Sequence, residues 1–281
     1  MGNVHSSLLQ VPCFFVVLSV TFLGKLTHAN VWDCAATSGV FTRLEDCTMG
    51  GQVQLTGGMS IVGRENLTTI TAEETSRHFE VSTDTLKLKW LVLTGGFKDV
   101  TPSSLDDSHR GGSILFVGAG VLEATKCQFR ANKASYGGAI DWKGVTAPGA
   151  SIHLTKTDLL QNFARYHGGA VLVEYGRIDI DGGNVEENEG ASGSGGGLSL
   201  DNARLKMNGV TLSKNKSDRG GAIYIYGSET AESFLFATKC TFQEHSSASE
   251  TGNGGALYVD RKSTAVLRES TFWKNSAGKG K

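Results

Sequence analysis

The side chains able to do chemistry are scattered along the chain. Carboxylates are densest from Glu174 to Glu189, a stretch that also holds Asp179, Asp181, Glu186 and Glu187. Glu174 and Asp201 close equivalent apolar stretches, so their spacing predicts side-by-side carboxylates. Such a pair is a weak candidate for Ca²⁺, set against the reading of a solvated acidic face. Asp106-Asp107 is the sole Asp-Asp pair, and no two carboxylates are singled out for the defined separation that glycoside hydrolysis needs. His78, His109, His153, His167 and His245 share no spacing and read as surface or corner residues. Cys127 and Cys240 each stand two residues before a phenylalanine, without the CxxC or Cys/His spacing of a zinc site. Tyr224 and Tyr258 hold equivalent places after a Gly-Gly pair. Their rings could stack to face a ligand or simply brace neighbouring strands. No catalytic residue and no cofactor motif stands out.

What must position these residues is a repeat. Six Gly-Gly runs continue with a small residue and then an aliphatic one: Gly111-Gly112-Ser113-Ile114, Gly137-Gly138-Ala139-Ile140, Gly168-Gly169-Ala170-Val171, Gly195-Gly196-Gly197-Leu198, Gly220-Gly221-Ala222-Ile223 and Gly254-Gly255-Ala256-Leu257. Between them runs a second motif, an apolar residue followed three positions on by Asn: Phe129 to Asn132, Leu159 to Asn162, Val185 to Asn188, Leu212 to Asn215 and Phe272 to Asn275. Phe242 to His245 is the same motif with His in place of Asn. Successive Gly-Gly pairs lie 25 to 34 residues apart. Each repeat carries two stretches of alternating apolar residues, the mark of strands, as in Ile140/Trp142 and Ile152/Leu154. Such short strands cannot each bury a core. Wound into a coil, they can. Glycine suits the corners, which need φ > 0 or close backbone approach, and the Asn positions would stack as an amide ladder.

The prediction is an all-β, single-stranded, right-handed parallel β-helix. Strand-like segments upstream, such as Leu86 to Leu93, bring the count to about eight to ten turns, some 40–50 Å of rod. Residues 30–50 read as an N-terminal cap, where a Cys34–Cys47 disulfide would staple a weak edge, and 51–281 as the coil. Cys127 and Cys240 fall at the same corner four turns apart, about 19 Å, too far for a disulfide. The repeat opened at Phe272 is cut short. Either the lysines at 274, 279 and 281 discourage edge pairing, or the rod belongs to a longer protein.

Residues 8–24 are almost continuously apolar and end near Thr27-His28-Ala29, which predicts a secretion signal cleaved after Ala29; an uncleaved anchor is the alternative. No second run of membrane length follows. Asn66 and Asn215 head glycosylation sequons. Thirty-seven glycines and three prolines in 281 residues exclude collagen and Pro-rich sequence. Apolar content of 39% excludes a disordered chain, and a net charge of −1 argues against a nucleic-acid partner.

The alternation of GGA[ILV] with FxxN, over Gly111 to Asn275, resembles the repeat of the chlamydial polymorphic outer membrane proteins, surface adhesins with a right-handed β-helical passenger of the pectin-lyase-like type. That resemblance implies a secreted or cell-surface scaffold for adhesion or recognition, with glycans or cell-surface proteins as partners. β-Helices also host polysaccharide lyases and hydrolases, which is the competing expectation. The polygalacturonase pattern is absent: His167-Gly168 lacks a preceding Gly, and Arg177-Ile178 is followed by Asp179 rather than Lys. A carbohydrate-binding module is the third reading.

Overall fold

In the computed structural model, residues 30–73, 76–98, 107–144, 150–247 and 252–278 are described. The chain winds through four parallel sheets in a fixed order, with one strand in each per turn from Val121 onward. A representative turn runs Val121–Thr125, Gln128–Arg130, Lys133–Ala134, Ile140–Gly144. The first sheet has ten strands, the second nine, the third six short ones and the fourth eight. The result is a β-solenoid of about seven full turns with partial rungs at its ends, fewer complete turns than the eight to ten expected.

Register makes the core. In the fourth sheet Phe79, Ile114, Ile140, Val171, Leu198, Ile223 and Leu257 lie one above another. Leu93, Phe129, Leu159, Val185, Leu212, Phe242 and Phe272 form the matching column of the second sheet. Alternation with period two turns these residues inward, and up to Ile223 and Phe242 they merge into one continuous apolar cluster, with Leu257 packed against it and Phe272 left 43% exposed on the last described rung. A slip of one residue would expose a whole rung, so the pattern itself pins the register.

The corners need two different glycines. Gly137 has φ +54°, which L-residues adopt at a cost. Gly138 must be bare for another reason: a Cβ there would stand 2.1 Å from the Gly169 carbonyl oxygen of the next rung. The other corner is turned by ordinary residues. Ala131, Gln161, Glu187, Lys214, Glu244 and Lys274, each one place before a ladder residue, hold φ of 51–57°.

What holds them there is the amide ladder. The backbone N–H and the Nδ2 of Asn132 both donate to Oδ1 of Asn162, at 3.0 Å each, and Nδ2 also donates to the Leu93 carbonyl at 3.1 Å. Asn162 repeats this on Asn188, and Asn188 on Asn215. His245 continues the ladder by accepting the Asn215 N–H on Nδ1 at 3.0 Å, and Asn275 closes it.

At the first end, the expected cap is already part of the coil. Gly39–Thr42 and Cys47–Met49 pair in register with the next turn because Phe41 and Met49 extend its columns. The Cys34–Cys47 disulfide closes this rung, and the fully buried Trp32 lies 5.8 Å from the Phe79 ring. Cys127 and Cys240 are buried free thiols at equivalent corners.

Candidate functional site

Alternate residues of the fourth sheet point away from the core. On three successive rungs these are Leu172 and Glu174, Ser199 and Asp201, and Tyr224 and Tyr226, so register builds two short columns, Leu172–Ser199–Tyr224 and Glu174–Asp201–Tyr226. Together with His167 from the preceding corner they line a cleft of about 180 Å³. The sequence pairing of Glu174 with Asp201 is therefore real.

One side of the cleft is a buried charge cluster. Arg110 clasps Asp141 through Nε at 2.9 Å and Nη2 at 3.1 Å, and Nη2 also reaches Glu174 at 2.9 Å. Asp141 is fully buried, and burial pushes its carboxyl up to about 6 against the pull of Arg110. The guanidinium sits 5.0 Å from the Tyr136 ring, which packs on Tyr166 at 5.1 Å and on His167 at 5.9 Å. Arg110 thus holds Glu174 in place. Burial raises Asp201, with Glu174 adding to it and the Asn202 amide, 2.6 Å away, opposing. Burial lowers the pKa of His167, with Glu174 opposing. Tyr224 donates its hydroxyl to Asp260 at 2.9 Å and stacks on Tyr258 at 5.6 Å.

The expected Ca²⁺ reading of Glu174 and Asp201 gains no third ligand. Among the described residues no group of three His, Cys, Asp or Glu side chains could hold a metal. The sequon at Asn215 is corrected as well. Its amide is fully buried and donates to the Val185 carbonyl at 2.7 Å, because the ladder needs it. Asn66 is exposed. Asp106 lies outside the described residues.

Two serine–histidine pairs escaped the sequence reading. His78 is not a surface residue but wholly buried. Its Nε2 donates to the Ile70 carbonyl at 3.0 Å, so its Nδ1 accepts from the buried Ser113 hydroxyl at 3.0 Å. That pair is structural. The second sits on the outer face of the first sheet, where Ser151 Oγ lies 2.7 Å from His153 Nε2, and His153 Nδ1 lies 3.4 Å from Asp179 Oδ2. The signal for it was Ser-x-His on one strand with Asp179 in register with His153. Asp179 is also gripped by Arg177 through Nε at 3.0 Å and Nη2 at 2.9 Å.

No family model matches the chain, and neither the curated proteins nor the solved structures give a match.

Proposed function

We propose that this chain is an exported solenoid whose ribbed surface serves adhesion or recognition at or outside the cell surface, with glycans or cell-surface proteins as partners. The GGA[ILV]/FxxN repeat and its likeness to the polymorphic outer membrane proteins support this, as does the apolar segment at residues 8–24. The observation that carries it is the cleft over Ser199. It is assembled from three rungs without breaking the register, so outward side chains there can be varied for a ligand at no cost to the core. Secreted protein purified from an expressing cell should begin at Asn30 and should bind cells or a glycan array in a saturable way. Absence of both kinds of binding overturns the reading.

A second reading, a hydrolase, is favoured by the Ser151–His153–Asp179 arrangement, which has the order of contacts of a nucleophile, base and orienting acid. A fluorophosphonate probe should then label Ser151 and fail on His153→Ala. No labelling, or labelling insensitive to His153, removes this reading.

A further inference from the structure

The cleft over Ser199 contains more acceptors than the fold uses. Ser199 is 3% exposed and lines the cleft, and no protein hydrogen bond holds its hydroxyl among the described residues, so its oxygen is open to the cleft rather than sealed in the core. A hydroxyl so placed offers an acceptor to whatever enters the cleft. Asp201 sits two residues on, on the same face of the same strand, with the Asn202 amide but no ion pair. Glu174 lies directly beside it on the neighbouring rung, about 4.8 Å away by sheet spacing. Of the neighbouring charges, Asp260 takes the Tyr224 hydroxyl, Lys143 stands in register with Glu174 on the preceding rung, and Arg219 acts electrostatically on His167 and Tyr224. Arg110 is committed to Asp141 and Glu174. Leu172 supplies an apolar floor and Tyr224 an aromatic wall.

We propose that this cleft binds a primary ammonium group on an aliphatic stem, its three N–H donors taken by Glu174, Asp201 and Ser199 and its stem laid on Leu172. An ammonium has three donors and no acceptor, which matches this set. Two carboxylates and one hydroxyl fall short of the six to eight oxygens Ca²⁺ takes. The volume, about 180 Å³, suits one side chain or one sugar ring rather than a polymer segment. Two sources carry such a group, a lysine side chain of a protein and an amino sugar. The inference rests on the recognition reading above.

The test is calorimetric titration of the full chain with Nα-acetyl-lysine methylamide, with the uncharged Nα-acetyl-norleucine methylamide, and with glucosamine. The lysine probe should bind and the norleucine probe should not. Stronger binding of glucosamine would assign the ammonium to a sugar. Asp201→Asn, nearly isosteric, should weaken binding at least tenfold, and Ser199→Ala about threefold, each with an unchanged circular dichroism spectrum. Equal binding of the norleucine probe, or an unchanged affinity in Asp201→Asn, overturns the inference. Cell and glycan binding of the same two proteins separates the outcomes. If wild type adheres and Asp201→Asn adheres equally, the ammonium site fails while the recognition reading stands. If the lysine probe binds but wild type adheres to nothing, the reading fails and the site stands.

Discussion

His245 shows how one residue tunes this fold. Its Nδ1 fills the place of an Asn oxygen, but its Nε2 is buried with no partner. Burial lowers its pKa to about 4, and that of His78 likewise to about 4. Both are neutral when folded and would take up a proton near pH 6.5 when unfolded. The unfolded chain therefore binds more protons between those values, so stability is full above about pH 6.5 and is lost as pH falls toward 4, by up to about 3 kcal/mol for each histidine. His245→Asn should restore an unbroken ladder, add about 1 kcal/mol at neutral pH by removing the orphaned nitrogen, and flatten the acid limb. Urea titrations at pH 7 and 4.5 read both effects. Arg110→Ala should act oppositely, costing about 3–5 kcal/mol because Asp141 is left buried and unpaired. The same titration at pH 7 measures it.

The strands and the Gly-Gly corners were the most legible part. Alternating apolar residues and the recurrence of Asn gave the columns because a solenoid repeats its sequence wherever it repeats its geometry. The left-handed corners at Ala131 or Lys214 were invisible, since the ladder that follows imposes their conformation and no residue type marks it. The Arg110 cluster was hidden too: its members come from a corner and two rungs with no shared motif. His78 lies upstream of the regular repeats, where the pattern offers no column to place it in. Three substitutions test the corner argument. Asn188→Ala removes the acceptor for two donors of Asn162 and strands the Leu159 carbonyl; it should cost about 3–5 kcal/mol. Gly138→Ala meets the Gly169 and Phe163 backbones of the next rung and should cost as much or more, whereas Gly209→Ala, φ +61° but with nothing within 4 Å, should cost only about 1 kcal/mol. Denaturant midpoints of the three variants rank them.

At the scale of the molecule, each rung touches only its neighbours, so stability is a sum of rungs and interfaces. The disulfide closes a short loop at one end, separation 13, worth about 3 kcal/mol by loop entropy. Reducing it should speed amide exchange in residues 39–62 before it affects the middle rungs. A uniform acceleration along the rod would contradict this local coupling. The shared register has a further consequence. Excising residues 162–187 would join Gln161 to Asn188, and so bring together two coils whose facing surfaces already match. Whole coils are thus exchangeable parts, while a single-residue deletion within a strand is not. Length is therefore the dimension along which such a rod can be lengthened or trimmed by gene duplication and loss, its cross-section staying constant.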